Sequence, residues 1–318
     1  MKAAFRTRYG QPSEVLSIRE ISKPIPKNNE VLIRVHATSA SRTDHFGLIG
    51  QFLMRVFIGL FKPKKNTIGS DFAGQVEAIG AAVTNFKVGD KVMGFGGIFC
   101  AESIAEYMTF PESKGIVLMP QNFSYEQAAG CVEGTFYAVS GIAYVKPTVG
   151  QKALVYGATG AIGSADVQFL KYFGVYVTAV CSGEHIELVR SLGADKIIDY
   201  KTQDFTKDEE RYDYVMDAVG KTSFVRCKRL LKKKGMFLPA DGLENIFLVP
   251  LTKLFGGKRV LFNGPRNIKG NLNFIKELCE KGSFKPVIDR IYPLEKIAEA
   301  FSYVGTGQKI GNVIIKID

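Results

Sequence analysis

Gly157, Gly160 and Gly163, spaced G-x-x-G-x-x-G, carry the clearest chemical potential in this chain. They follow the apolar run Ala153-Leu-Val-Tyr156 and precede a helical pattern over Ala161–Phe173, so a strand is expected to turn tightly into a helix. Glycine permits that turn and lets backbone N–H groups approach a pyrophosphate. The helix N-terminus adds partial positive charge where phosphates would sit. The last glycine allows the helix to pack closely on the strand. Gly157, Thr159, Gly160, Ala161, Ile162 and Gly163 are therefore the candidate cradle of a dinucleotide. A purely structural turn would use the same glycines; the strand and helix on either side favour the nucleotide.

The next apolar run ends at Val180-Cys181-Ser182. An NAD site usually places a carboxylate there to hold the ribose hydroxyls. Cys181 and Ser182 are neutral, and Ser182, His185 and Tyr200 are candidate partners for a 2′-phosphate. The expectation is NADP(H) over NAD(H), with Glu184 the residue that argues the other way.

Those groups need a scaffold, and the chain has two textures. Residues 1 to about 120 alternate short apolar runs with Gly and Pro, as at Val31–Val35, Phe72–Ile79, Lys91–Phe95 and Ala105–Phe110, which predicts a mostly β, partly barrel-like domain. From Ser124 the pattern changes to one long helix, Ser124–Val145. Six strands then alternate with helices: Lys152–Tyr156, Val175–Cys181, Lys196–Asp199, Tyr212–Asp217, Met236–Ala240 and Arg259–Asn263. That alternation predicts an α/β fold with a six-stranded, doubly wound parallel sheet of Rossmann type. After Pro265 come two helices, Leu272–Glu280 and Leu294–Val304, and a strand, Val313–Ile317. This tail is too small to fold alone and is expected to complete the first domain. The expected domains are 1–122 with 266–318, and 123–265.

Composition narrows the function. The chain has 318 residues, 46% hydrophobic and 23% charged, with a net charge of +11. The basic residues are dispersed; the densest groups are Lys62–Lys65 and Lys232–Lys234, and none is interleaved with aromatics. A solvated basic surface that attracts anionic cofactors is favoured over nucleic-acid binding. No apolar run approaches the length needed to cross a bilayer, so stable membrane insertion is not expected. The N-terminus lacks the apolar core of a signal peptide. Five scattered cysteines without a C-x-x-C pair suit a reducing, cytoplasmic setting.

Taken together, the residues resemble the medium-chain dehydrogenase/reductase superfamily, and most closely its zinc-independent quinone oxidoreductase and enone reductase branch. The resemblance covers nearly the whole chain. It rests on Gly69-Ser-Asp-Phe-Ala-Gly74, Val88-Gly-Asp-Lys-Val92, Ala105-Glu-Tyr107, the Gly157–Gly163 loop, Leu188-Val-Arg-Ser-Leu-Gly-Ala-Asp195, Asp217-Ala-Val-Gly220 and Gly311-Asn-Val313. It implies a GroES-like catalytic domain beside the Rossmann domain.

Zinc-dependent relatives carry ligands in C-x-T-D, G-H-E and C-x3-T-x-Y stretches. Here the first two read Ser41-Arg-Thr-Asp44 and Gly69-Ser-Asp71, and the third keeps Cys131 ahead of Thr135 and Tyr137. One thiol with two serines does not hold Zn²⁺. A structural-zinc lobe would need four closely spaced cysteines, and Cys100 alone is nearby. No metal site is expected, and Cys131 reads as a small buried residue.

The resemblance assigns roles. Thr43, Thr135, Val219 and Asn312 would hold or line the cofactor, and Asp44 and Tyr107 are candidate polar groups near substrate. All of these are also explained by polar residues satisfying backbone at a domain seam. His45 is a candidate proton donor or a structural histidine. Phe52–Phe61 reads as an apolar lid or a short helix packed on the core.

Without a Lewis acid, hydride delivery to an acceptor that is already electrophilic is favoured over alcohol oxidation. The expected function is zinc-independent, NAD(P)H-dependent reduction of quinones or activated alkenes. The alternatives are an NADP-dependent alcohol dehydrogenase and a catalytically silent nucleotide-binding protein. Strand Arg259–Asn263 would be the edge of the sheet; the resemblance implies that this edge pairs with its twin, and exposed edges need protection, so a homodimer is expected.

Overall fold

The computed structural model describes residues 1–97, 101–254, 256–262 and 266–317. The chain divides into two compact units, Met1–Phe136 with Asn267–Asp318, and Tyr137–Arg266. The first unit begins with strands β1 (Lys2–Phe5) and β2 (Ser17–Glu20), paired antiparallel. β3 (Glu30–Ser39), β4 (Asp71–Ile79), β5 (Lys91–Phe95), β6 (Tyr107–Pro111) and β7 (Ile116–Leu118) follow. β3 is the hub. It pairs antiparallel with β4 over Val31–Ala37 and with β6 over Glu30–Arg34, while β4 continues to β5 and β5 to β7. Its aliphatic residues Val31, Ile33 and Val35 pack with Phe72, Val76, Val92 and Phe110 in one core. Polar residues enter at the end of that core: Thr38 and Ser39 close β3 opposite Asp71, which opens β4, and all three are buried.

β3 runs into the helix Arg42–Ile49, capped by Ser41 and ended by Gly50 in the left-handed conformation. The expected long helix Ser124–Val145 is two helices, Tyr125–Gly130 and Glu133–Val145. A capping box between Ser124 and Gln127 starts the first. The break at Cys131–Val132 aims the backbone N–H of Glu133 at the Asp71 carboxylate.

The second unit holds β8 (Lys152–Tyr156), β9 (Tyr176–Cys181), β10 (Lys196–Asp199), β11 (Tyr212–Asp217), β12 (Leu231–Pro239) and β13 (Arg259–Val260). They form one parallel sheet in the order β10-β9-β8-β11-β12-β13. β9 is buried from Val177 through Cys181, as a strand covered on both faces requires. The chain winds outward from β8 to β10, then returns to lay β11 on the other side of β8. That reversal opens a crevice at the carboxyl end of β8, where ligands of such sheets bind. β13 is two residues long; the expected strand's end at Asn263, and Cys100, lie outside the described residues.

In the tail, the helices Ile268–Glu280 and Ile297–Gly305 frame a strand that the sequence did not announce, β14 (Ile288–Pro293). It pairs parallel with β15 (Asn312–Lys316), which pairs antiparallel with the end of β3. β15 supplies Val313 and Ile315 to the β3 core.

Candidate functional site

The glycine loop lies at the carboxyl end of β8, and its three glycines have different tasks. Gly157 has φ +81°, a conformation that a side chain disfavours, and a Cβ there would also press on Val219, at 2.6 Å. A Cβ on Gly163 would fall on the Gly157 carbonyl, so helix and loop meet backbone to backbone. Gly160 is different. A Cβ there would meet only the Gly157 oxygen, at 3.6 Å. No side chain caps the helix Ala161–Tyr172 that Gly160 begins. Thr159, Ala161 and Ile162 lie beside it and are partly accessible. Open space above an uncapped helix N-terminus suits a phosphate group.

Val219 is fixed by a residue outside the sequence-derived set. Asp217, buried at the end of β11, accepts from the backbone N–H groups of Val219 and Gly220, at 3.1 and 2.9 Å, and from Thr222 at 3.1 Å. That carboxylate shapes the turn holding Val219 against Gly157.

At the end of β9, the Tyr200 N–H donates to the Cys181 carbonyl, which brings the Tyr200 backbone to the strand end that Ser182 follows. Ser182 is buried, and among the described residues its Oγ has no hydrogen-bond partner. Two carboxylates stand near. Asp199 lies 2.5 Å from where a Cβ on Gly183 would be, and Glu184 follows. Both are engaged by Lys201: its backbone N–H donates to Asp199 at 2.9 Å, and its Nζ to Glu184 at 2.6 Å.

The first unit holds a second polar centre, a buried cluster of three carboxyls. Asp44 Oδ2 accepts from Ser41 Oγ at 2.8 Å and from Ser70 Oγ at 2.9 Å. Asp71 accepts from Ser39 N at 2.7 Å, Ser39 Oγ at 2.5 Å and Thr38 Oγ1 at 2.9 Å. Glu133 accepts from Thr43 Oγ1 at 2.6 Å. Burial, reinforced by the Asp71 charge, raises the Asp44 carboxyl to about 7. Burial, with Asp44 and Asp71 adding to it, raises Glu133 to about 8, while the Thr43 hydrogen bond opposes the rise. Burial lowers the Lys309 ammonium to about 8, and Glu133 counters that shift. Carboxyls held this close to neutrality can store or pass a proton at physiological pH.

Asp44 and Thr43 thus lie in one network; Glu133 and Lys309 are members that the sequence alone did not mark, and Asp71 was marked only as the end of Gly69-Ser-Asp71. Glu133 could have been noticed as a charge inside the apolar run Cys131–Val145. Tyr107 lies on β6 with Lys23 Nζ over its ring at 3.7 Å, and its contact is with that lysine rather than with the Asp44 network. Thr135 is buried, its Oγ1 3.5 Å from the Gly130 carbonyl. The Asn312 side-chain amide donates to the Val287 carbonyl at 3.0 Å and so braces β15. His45 packs its Nε2 on Gly305 and walls a cavity of about 500 Å³ with Glu14, Ser13, Ser302 and Thr306.

The three positions that match zinc ligands in metal-dependent relatives are occupied otherwise. Both hydroxyls serve Asp44. The buried Cys131 thiol lies 3.6 Å from Cys279 Sγ, and burial pushes it well above the usual thiol range. Among the described residues no group of three His, Cys, Asp or Glu is placed to hold a metal ion.

Comparison with known proteins agrees with this architecture. Residues 27–121 match the alcohol dehydrogenase GroES-like domain, and residues 192–315 match a model described as zinc-binding dehydrogenase. A chloroplastic quinone oxidoreductase of Triphysaria versicolor is 30% identical, over 99% of this chain and 98% of that protein. The chloroplastic NADPH-dependent alkenal/one oxidoreductase of Arabidopsis thaliana is 31% identical, over 99% of this chain and 79% of that protein. The solved structure of the quinone oxidoreductase from Coxiella burnetii superposes with a TM-score of 0.89, covering 100% of this chain and 99% of that one. At 24% identity it speaks to the fold alone.

Proposed function

This chain belongs to the medium-chain dehydrogenase/reductase superfamily, in its quinone and enone oxidoreductase branch, and from that premise we propose that it reduces quinones or activated alkenes with NADPH, without zinc. The observation that carries the reading is the Asp44 network. Ser41 and Ser70, placed where zinc ligands would stand, spend their hydroxyls on one carboxylate oxygen. Two engaged hydroxyls and a buried thiol with a raised pKa are a poor donor set for Zn²⁺. Electrophilic acceptors do not require a metal to polarise them.

The reduced nicotinamide supplies the hydride when bound. The protein's residues do the rest. Gly160, Ala161 and Ile162 present backbone to the pyrophosphate, and Gly163 and Gly157 hold that loop in shape. Asp217 fixes Val219 beside it. Asp44 gives the proton that an acceptor needs after taking a hydride, one hydride and one proton completing a two-electron reduction. Thr43 holds Glu133 and stands in the same network.

NADPH is preferred over NADH in this reading, because the buried Ser182 Oγ has no partner among the described residues and a 2′-phosphate would supply one. Glu184 and Asp199, which would otherwise attract ribose hydroxyls, are engaged by Lys201. Fluorescence titration tests this. We expect NADPH to bind at least tenfold more tightly than NADH; equal affinities would contradict the preference.

We also propose a homodimer through the β13 edge and a cytoplasmic setting. The last is supported by four free cysteines among the described residues, all of them buried. Sedimentation velocity at micromolar concentration reads the oligomeric state.

A further inference from the structure

The segment that follows the helix Arg42–Ile49 is not explained by hydride transfer. Phe52–Ile58 forms a short helix whose Met54 and Ile58 side chains lie against Gly47. Its other face is apolar and open: Phe52 is 75% exposed and Val56 55%. The chain then turns back at once. Lys64 N donates to the Ile58 carbonyl at 2.8 Å, and Tyr9 Oη donates to the Gly59 carbonyl at 2.5 Å. Leu60 and Phe61 ride on the tip of that pinned turn, 52% and 90% exposed.

Cations follow the tip immediately. Lys62 and Lys64 are exposed, and Lys64 Nζ reaches the Phe57 carbonyl at the helix end. Glu102, an acid near this tip, is already occupied by Lys65 and Thr67. Among the described residues no carboxylate pairs with Lys62 or Lys64, so the surface offers exposed apolar side chains with positive charge beside them. A partner that takes both must have an apolar interior beneath an anionic face, which describes a bilayer rich in anionic lipid. We propose that the Phe52–Lys64 ledge docks this protein on anionic lipid surfaces, with Leu60 and Phe61 entering the interface and Lys62 and Lys64 resting on the headgroups.

Flotation tests this with the intact protein. The probes are vesicles of phosphatidylcholine with a third phosphatidylglycerol, and vesicles of phosphatidylcholine alone. We expect binding to the anionic vesicles, little to the neutral ones, and release at high salt. Lys62→Gln with Lys64→Gln should weaken binding about 25-fold, at roughly fivefold per lysine. Leu60→Ser with Phe61→Ser should weaken it at least tenfold; these side chains are exposed, so the melting temperature should not fall. No binding to anionic vesicles, or binding unchanged in both variants, overturns the proposal. So does a wild type that ignores vesicles but self-associates through this tip, losing that association in Leu60→Ser/Phe61→Ser. NADPH affinity is measured alongside, so that a failure of the nucleotide reading is recognised separately.

Discussion

Ser41 and Ser70 donate to the same oxygen, Oδ2 of Asp44, at 2.8 and 2.9 Å. The first hydroxyl also caps the helix Arg42–Ile49 by accepting from Asp44 N. One carboxylate thus ties the end of the β3 connection to the start of β4. Asp44→Ala leaves two largely buried hydroxyls without their acceptor, at a cost of about 1–3 kcal/mol. A lowered melting temperature in scanning fluorimetry is expected.

The same carboxyl predicts a pH limb. Asp44 is raised to about 7 by burial, so its protonated fraction falls as pH climbs through that value. If it is the proton donor, kcat for enone reduction declines above about pH 7 in the wild type. In Asp44→Asn the limb disappears and kcat drops at least tenfold, with NADPH affinity little changed. A limb that survives the substitution assigns the proton to another group.

Gly160 and Gly163 separate nucleotide binding from folding. Gly163→Ala places a methyl on the Gly157 carbonyl and should cost both stability and NADPH affinity. Gly160→Ala meets only the Gly157 oxygen at 3.6 Å, so the apoprotein should melt as the wild type does. The pyrophosphate would meet that methyl, and NADPH affinity measured calorimetrically should fall tenfold or more. Unchanged affinity would mean that the loop is a turn and not a cradle.

Ser182→Asp puts a carboxylate where a 2′-phosphate is proposed. The ratio of NADPH to NADH affinity should fall at least tenfold through like-charge repulsion. Lys201→Ala should lower the same ratio, because it releases Glu184 and removes a cation.

Asp166 gives a stability prediction independent of catalysis. It is buried in the helix Ala161–Tyr172, and burial raises its carboxyl to about 8. The unfolded chain releases that proton near pH 4. Between the two values the unfolded state binds fewer protons, so this group makes stability fall as pH rises. Asp166→Asn should melt roughly 5 °C or more above the wild type at pH 8, with the gap closing towards pH 4. A gap independent of pH would contradict the assignment.

The glycine loop and the parallel sheet were legible because their signals are local: glycine spacing, and apolar runs punctuated by turns. The serines at positions 41 and 70 were legible for the same reason. Glu133 was not, because its partner Thr43 lies ninety residues away in sequence and only folding joins them. Lys309 was missed similarly; a lysine near the C-terminus carries no sign that burial will lower its pKa. β14 was missed because none of its residues is fully buried, so no alternation or apolar run marks it. The break at Cys131–Val132 was hidden by continuous apolar periodicity, and the Asp71 carboxylate that the Glu133 N–H meets beyond it comes from another strand. Phe52–Ile58 does form the short packed helix that was one of its two readings, but Phe52 and Val56 stay outside.

The central claim, NADPH-dependent reduction of electrophilic acceptors without zinc, is tested most directly by steady-state NADPH oxidation with the purified, metal-analysed protein. The acceptors are a panel of quinones and enones, with primary and secondary alcohols plus NADP⁺ as the opposing panel. The account predicts saturable turnover with at least one quinone or enone, unchanged by a zinc chelator, and none with the alcohols. Tight NADPH binding with no turnover on any acceptor, or alcohol oxidation that follows stoichiometric zinc, would contradict it.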